Sequence, residues 1–453
     1  MDILKWVVLG IAILMYILVI ALQEKKVWFT SLAAVLCVVL GIAFPGVIFP
    51  AESAEIPSRL FAITNAFSSL INWNVLMIYV GAMTIASLFL YSKIPTKIAD
   101  FLISIAPSTG VAIVLILAMT GIISIFVENV ATVLVMAPIA LALCKKLKMN
   151  PTMFMVGLAV MSNLEGTATL VGDPPSMIFA AAAGYNFNDF FVHQGKLSIF
   201  FIVQTGLLTG CIFFYCVFAK FKEKASVSGE PVISAFPGIL MLLMIFGLAA
   251  LSFASPLLEK ILPQFLMSFS SGLFVVILAA AGIFWYVFSQ KKNGTETLTL
   301  IKELDWETIF FLIGIFVVVG AIAGVGLLDD FAHFLVKFCG GSKFLGFFII
   351  LLVSVIISGF VDNVPYIMVM LPVAQEMARG FGMNGELFMF ALLVGSCLGG
   401  NLTPFGASAN VVAMGIVKKE GHPMNFGKWL KLGGTFTVLT TFASALVLWL
   451  IWS

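Results

Sequence analysis

The segment FVENVATVLVMAPIA, residues 126–140, contains one acid, Glu128, among apolar and small residues. A second stretch, FVDNVPYIMVMLPVA, residues 360–374, matches it at eight of fifteen positions and carries Asp362 in the same place. The two acids lie 234 residues apart. An acid within an apolar segment is costly to bury. Its presence at the same place in two matching segments therefore predicts one functional motif that occurs twice in the chain.

The composition indicates an all-α polytopic membrane protein. The chain has 453 residues, of which 61% are hydrophobic and 10% are charged, whereas soluble domains are roughly half apolar and about a quarter charged. The net charge of +2 carries no information about nucleic acid, and no dense basic run occurs, so we predict no nucleic-acid partner. The six cysteines have no metal-binding spacing. No H-E-x-x-H, G-x-S-x-G or P-loop motif occurs, so we predict no catalytic residues and no enzyme.

Eight apolar runs are near the ~20 residues that a helix needs to cross a bilayer. They cover residues 3–22, 28–49, 73–91, 197–219, 236–254, 269–289, 307–327 and 434–452. No small-residue cleavage site follows the first run, so we predict that it is retained as a helix rather than removed as a signal peptide.

Shorter apolar stretches meet in pairs at polar tips. They are 109–127 with 130–144, which meet at Glu128-Asn129, and 345–361 with 364–378, which meet at Asp362-Asn363. A charge at the midpoint of a membrane helix costs several kcal/mol, but a polar tip between two half-length helices is tolerated against protein or a water-filled cavity. We therefore predict two re-entrant helical hairpins, at 109–144 and 345–378.

Two further segments, SNLEGTATLVGDPPSM (162–177) and SCLGGNLTPFGASANV (396–411), interrupt apolar runs with Gly, Pro, Thr and Asn. Such clusters end helices, which predicts two broken transmembrane helices at 152–184 and 386–416. Interrupted segments at matching places in two halves indicate the binding site of a transporter.

The two halves also begin alike, with INWNVLMIYVGAM from Ile71 and LDWETIFFLIGIF from Leu304. Five predicted crossings separate the two starts, and an odd number puts the halves in opposite orientations, which is the inverted repeat of many secondary transporters. The predicted divisions are N-terminal scaffold helices (1–72), a first repeat (73–219), connecting scaffold helices with a loop (220–305) and a second repeat (306–453).

The basic residues predict the orientation. With about ten full crossings, 17 of the 24 Lys and Arg lie on one face and 7 on the other. The positive-inside rule assigns the richer face to the cytoplasm, so both termini are expected outside. We expect an integral protein of the bacterial inner (plasma) membrane.

The hairpin tips and broken helices are expected to converge near the middle of the membrane. The candidate substrate- and ion-binding residues are Glu128, Asn129, Asn163, Gly166, Thr167, Thr169, Gly172, Asp173, Asp362, Asn363, Gly400, Asn401, Thr403, Gly406, Ser408 and Asn410. Na⁺ is expected at the two tips, on Glu128, Asn129, Asp362 and Asn363. No Lys or Arg is expected near the site.

Asp173 has two readings. It has no acidic counterpart in the second half, where Ala407 stands. It precedes Pro174-Pro175, so it can cap the half-helix that begins there, and we slightly favour this role over ion binding.

The tip motifs ENVATVLVMAP and DNVPYIMVMLP, with GTATLVGDPPSM and GGNLTPFGASANVV, resemble those of the ion transporter superfamily over about residues 70–435. That group includes divalent anion/sodium symporters, citrate transporters, arsenite permeases, sodium/proton antiporters and the P-protein branch. The resemblance implies a homodimer with a fixed scaffold and a moving elevator domain. The anion symporters carry Ser-Asn-Thr at each tip, whereas these tips are closer to the antiporter, arsenite and P-protein branches.

Two functions follow from these features. The first is a secondary active transporter in the lipid bilayer that moves a small anion, a carboxylate or an inorganic oxyanion, coupled to Na⁺ or H⁺, with no other cofactor. The second is a sodium/proton antiporter in which the paired acids are the whole mechanism. A channel is not distinguished from either by the sequence.

Overall fold

The computed structural model describes residues 2–50, 59–224, 231–261 and 263–453, and most of these are helical. The helices of the first part are α1 (Asp2–Ala21), α2 (Lys26–Ala43), α3 (Phe61–Asn65), α4 (Trp73–Tyr91), α5 (Ile94–Ile105), α6 (Thr109–Ser124), α7 (Asn129–Lys146), α8 (Thr152–Glu165), α9 (Pro174–Ala183) and α10 (Ile199–Phe218). Two short strands, β1 (Val192–His193) and β2 (Lys196–Leu197), pair antiparallel between α9 and α10. The sequence did not predict this small hairpin.

The second part continues with twelve helices. They are α11 (Phe236–Leu258), α12 (Gln264–Ser268), α13 (Ser270–Phe288), α14 (Gly294–Lys302), α15 (Trp306–Gly324), α16 (Leu327–Phe338), α17 (Lys343–Ser358), α18 (Asn363–Gly380), α19 (Glu386–Gly399), α20 (Ser408–Lys419), α21 (Phe426–Trp429) and α22 (Thr435–Trp452). Short 3₁₀ or π turns lie at Gln23–Lys25, Ala66–Leu70, Asn188–Phe190, Gly400–Leu402 and Leu430–Gly434.

Within the described ranges, nine helices are long and apolar enough to cross a membrane, which confirms a polytopic helical membrane protein. Eight of them correspond to the predicted continuous spans. The ninth is α7, the second arm of the first predicted hairpin. At 1.5 Å per residue its 18 residues reach about 27 Å, close to the thickness of the hydrocarbon core. Its length alone therefore does not make it a half-depth helix, and the re-entrant hairpin stays a prediction.

The order of elements occurs twice along the chain. The helices α6, α7, α8 and α9 begin 234 residues before α17, α18, α19 and α20, respectively. The interruptions between them match as well, because each half has a four-residue gap before the tip helix and an eight-residue gap within the broken segment. The sequence repeat is thus also a repeat of local structure.

The two halves pack on each other reciprocally. The early helix α2 packs on α15 of the second half, and α13 packs on α4 of the first half. Matched glycines stand at these contacts, since a Cβ added at Gly81 would lie 2.8 Å from the Val275 side chain, and one added at Gly314 would lie 3.0 Å from the Thr30 backbone. Small residues allow such close helix approach within membranes. The tip helices cross over too, with α7 on α20 and α18 on α9.

Candidate functional site

The two tip acids cap the helices that follow them. The Glu128 carboxylate accepts a hydrogen bond from the backbone N–H of Ala131 at 2.9 Å, and the Asp362 carboxylate accepts one from Val364 at 3.0 Å. A negative side chain at this position also interacts favourably with the partial positive charge of the helix N-terminus. The acids therefore decide where α7 and α18 begin.

Asp173 corrects the expectation that it would cap its helix. It occupies the cap position of α9, but its side chain makes no capping hydrogen bond. Its side chain instead lines the same small cavity as Glu128, Asp362, Asn129 and Asn363. The capping role expected of Asp173 is thus filled in the two tip helices by Glu128 and Asp362. Asp173 itself faces the cavity between the tips.

These groups surround a small polar cavity of about 40 Å³, which forms where helices of both halves begin. Seven of the sixteen candidate residues line it, namely Glu128, Asn129, Asn163, Asp173, Asp362, Asn363 and Ser408. One water needs roughly 10–15 Å³ by this measure, so the cavity fits a small ion or a few waters. No Lys or Arg lines it within the described part of the chain.

The other candidates hold the site together. Thr169 donates to the carbonyl of Ile125 at 2.6 Å, and Thr403 donates to the matching carbonyl of Gly359. Both hydroxyls thereby tie a broken segment to the neighbouring tip. Thr167 donates to the carbonyl of Asn163 at 3.4 Å, one turn earlier in its own segment.

Three asparagines connect the two broken segments. The Asn163 amide donates to the side-chain oxygens of Asn401, at 2.8 Å, and Asn410, at 2.9 Å. Asn410 in turn donates to the carbonyls of Gly400 and Thr403. Asn401 and Asn410 thus hold the two broken segments together through their side chains, and a role for them in binding stays a prediction.

Four glycines allow the chain to fold closely at the breaks. A Cβ added at Gly172 would lie 2.4 Å from the Gly166 carbonyl oxygen, and one added at Gly406 would lie 2.6 Å from that of Gly400. A Cβ at Gly166 would also reach 2.4 Å from Asn129 Oδ1. These distances leave no room for a side chain at Gly166, Gly172 or Gly406 unless the backbone shifts, and the contact at Gly400 is less tight.

Asp305 and Tyr79 also line the cavity, and the sequence analysis missed both. The Tyr79 hydroxyl donates to the Asp305 carboxylate at 3.2 Å. Asp305 caps α15 through the N–H of Thr308, as Asn72 caps α4 through that of Val75. The signal was the aligned starts of the two halves, LDWET and INWNV, in which an acid replaces an amide.

A larger cavity of about 370 Å³ adjoins the small one and shares Asp305, Thr308, Asp362 and Ser408 with it. Lys26 and two further acids, Glu24 and Glu307, lie along its wall. The prediction that no Lys or Arg lies near the site is therefore wrong for this larger cavity. Lys26 reaches it from α2, which is far in sequence from the tips and the broken segments.

Comparison with known proteins agrees with these features. The family described as citrate transporter (CitMHS) matches residues 15–395 and 275–453. An uncharacterized transporter of Mycobacterium tuberculosis is 31% identical over 387 residues, which cover 84% of this chain and 86% of that protein. The P protein of Homo sapiens is 24% identical over 397 residues, covering 72% of this chain and 47% of its own length.

Two solved structures share the fold. The YdaH transporter of Alcanivorax borkumensis superposes with a TM-score of 0.58 at 14% identity, over 92% of this chain and 97% of its own. MtrF of Neisseria gonorrhoeae gives a TM-score of 0.54 at 14% identity, over 94% of each chain. The predicted membership of the ion transporter superfamily is confirmed. This chain belongs to the citrate transporter family and is an integral membrane transporter.

Proposed function

We propose that the protein is a secondary active transporter that moves a small anion, a carboxylate or an inorganic oxyanion, coupled to Na⁺ or H⁺. The observation that carries the proposal is the acid-lined cavity of about 40 Å³, which shares four lining residues with a cavity of about 370 Å³. The acids provide a site for a cation or a proton, and the larger cavity has the volume that an anion needs. The family description supports a carboxylate substrate.

The anion is assigned to the N-terminus of α20. Ala407 occupies the cap position there and supplies no capping side chain, so the first backbone N–H groups of this helix are available to a ligand. Ser408 lines both cavities. Helix N-termini bind anions through such N–H groups and the helix dipole, and Lys26 adds a positive charge on the wall of the larger cavity.

Coupling follows from charge. Glu128, Asp173 and Asp362 would repel an anion at Ser408 while they are ionised, because like charges interact strongly at low dielectric. Binding of H⁺ or Na⁺ at the acids removes this repulsion, so the anion and the cation travel together. Asn129 and Asn363 at the tips supply further oxygen atoms for Na⁺.

The large motion is proposed by analogy. An elevator mechanism, a homodimer and an inverted repeat with both termini outside follow from the superfamily resemblance and from the distribution of Lys and Arg. The reciprocal packing of α2 on α15 and of α13 on α4 supports a two-fold relation between the halves.

A sodium/proton antiporter is the second candidate. The observation that favours it is the small cavity itself, whose size fits an ion and which no Lys or Arg lines among the described residues. In that case Glu128, Asp173 and Asp362 bind the exchanged ions alternately, and no anion takes part.

Transport by purified protein in proteoliposomes separates the two functions. Uptake of radiolabelled citrate, arsenite, phosphate or sulfate driven by an imposed Na⁺ or H⁺ gradient supports the first. Dye-reported Na⁺/H⁺ exchange at full rate without any of these anions supports the antiporter. A thermal-shift screen of the same anions, each with and without Na⁺, selects the probes, because ligands of the folded state raise its stability.

Ala407→Asp tests the anion site. This change copies Asp173 of the first half into the matching position and places a carboxylate at the start of α20. We expect anion uptake to fall at least about tenfold, the change that 1.4 kcal/mol of lost binding produces, while Ala407→Asn, of similar size but uncharged, falls less. Equal uptake by wild type and Ala407→Asp would exclude this anion site.

A further inference from the structure

Another buried acid, Glu165, lies outside the small cavity that Glu128, Asp173, Asp305 and Asp362 line. Glu165 is the last residue of α8 and is completely buried. One of its carboxyl oxygens, Oε2, accepts a hydrogen bond from Gln204 Nε2 at 2.7 Å. The other, Oε1, has no hydrogen-bond partner among the described residues. Glu165 does not line the cavity of about 40 Å³.

The neighbouring helix makes room for this side chain. A Cβ added at Gly121 of α6 would lie 2.9 Å from Glu165 Cγ. The matching positions of the second half, 234 residues later, are Val355 and Gly399, and there a Cβ added at Gly399 would lie 2.7 Å from Val355 Cα. In each half, one of these two positions is a glycine and the other is a larger residue. The glycine comes first in the first half (Gly121 with Glu165) and second in the second half (Val355 with Gly399). In the first half the Glu165 side chain packs against Gly121, whereas in the second half the backbone of Val355 packs against Gly399.

Few charged groups surround Glu165. The adjacent helix α6 carries no titratable side chain, and α10 contributes Cys211. The charged side chains of the other helices packed on α8 stand at helix ends, and they are Lys145 and Lys146 of α7, Glu386 of α19, and Lys418 and Lys419 of α20. An ionised carboxylate held by one donor at low dielectric is strongly disfavoured relative to the neutral acid.

The helix that carries Gln204 also packs against polar side chains of α22. Gln204 belongs to α10, which packs on α22. A Cβ added at Gly206, two residues further along α10, would lie 2.9 Å from Ser444 Oγ. Ser444 Oγ and Thr441 Oγ1 are buried and lack hydrogen-bond partners among the described residues. Buried polar atoms without partners are rare in native structures and need an explanation, such as water.

From this geometry we infer that Glu165 is a second proton-binding site, separate from the central acids, which takes up and releases a proton during the transport cycle. The proton comes from water and converts the carboxylate to the neutral acid, with Oε2 accepting from Gln204. Release requires that α8 and α10 part enough for water to reach Oε1. The inference goes beyond the proposed function, which assigns coupling to the acids of the small cavity.

Infrared difference spectroscopy of the purified full-length protein in lipid tests this site without knowledge of the substrate. The carbonyl stretch of protonated carboxylic acids is recorded as the buffer pH is stepped. We expect the wild type to show a component that changes with pH and that is missing in Glu165→Gln. The same component should persist in the double variant Glu128→Gln/Asp362→Asn, which separates this site from the central one.

Two further variants keep the test decisive. Gly121→Val/Glu165→Gly recreates the packing of Val355 on Gly399 and should fold if Glu165→Gln does not, again without the component. Gln204→Leu removes the hydrogen-bond donor and should move the component in frequency. The inference is wrong if the spectra of wild type and Glu165→Gln coincide, if the Glu165 component does not respond to pH, or if it survives in Gly121→Val/Glu165→Gly.

Discussion

At the scale of single residues, Glu128 and Asp362 each have two tasks. Each accepts the backbone hydrogen bond that starts a helix, and each lines the small cavity. The tasks can be separated chemically, because an amide oxygen accepts a hydrogen bond as a carboxylate does but cannot change its charge.

Glu128→Gln and Asp362→Asn should therefore fold and reach the membrane, yet transport without the wild-type dependence on pH or Na⁺. Initial rates in proteoliposomes over a range of pH and Na⁺ concentrations measure this. If both variants keep wild-type rates and profiles, the acids serve only as caps and the coupling mechanism is wrong.

Asp305→Asn should preserve stability and alter coupling. Asn72 shows that an asparagine can cap this position in the other half, while the loss of one carboxylate changes the charge around the small cavity. Asp305→Ala removes the cap as well and should lower the stability by about 1 kcal/mol. Thermal unfolding in detergent, with transport profiles, checks both, and an alanine variant as stable as wild type would contradict the capping role.

At the scale of elements, each broken segment is closed by a glycine pair and by a threonine that donates to a tip carbonyl. The arrangement is the same in both halves. The breaks therefore do more than interrupt a helix. Their backbone is folded so closely that a Cβ at Gly172 or Gly406 would clash with it.

Gly172→Ala should destabilise the protein by about 1–3 kcal/mol, the usual cost of overpacking, because the added Cβ would lie 2.4 Å from one backbone oxygen and 2.9 Å from another. Gly415→Ala is the matched control, since it lies within α20 and has no atom within 4 Å of the added Cβ. It should gain up to about 1 kcal/mol of helix stability. Thermal unfolding measures both changes, and a Gly172→Ala variant as stable as wild type would show that the break can relax.

At the scale of the whole molecule, the interlocked halves place polar groups from distant parts of the sequence around one cavity. Asp173 comes from the first broken segment, Asp362 from the second tip and Asp305 from the start of the second half. Each half alone would leave these groups without their partners, so the site requires both.

The proposed orientation is tested by cysteine labelling in intact cells, in a background where the exposed Cys216 is replaced by serine. A cysteine at Lys260 should react with an impermeant reagent from outside, and a cysteine at Lys418 should react only after permeabilisation. Labelling at Lys418 in intact cells would reverse the topology that the positive-inside rule predicts.

Local sequence was enough to predict the membrane class, the repeat, the places where the helices break, and the family. Helices α7 and α18 begin one residue after the tip acids, and α9 begins at Pro174, as the motifs indicated. These features could be predicted because apolar length, glycine, proline and capping residues act on the backbone within a few residues.

Which polar side chains share a cavity, and which form hydrogen bonds with one another, depends on the packing of the whole fold. Asp173 does not cap its own helix but lines the small cavity, and Asp305 lines the same cavity. The Glu165 side chain packs against Gly121. Asn401 and Asn410, two of the predicted binding residues, accept hydrogen bonds from Asn163 of the other half. Buried polar atoms form hydrogen bonds with the groups that packing places next to them. In this fold many of those groups lie in the other half of the chain, so nearby sequence does not reveal them.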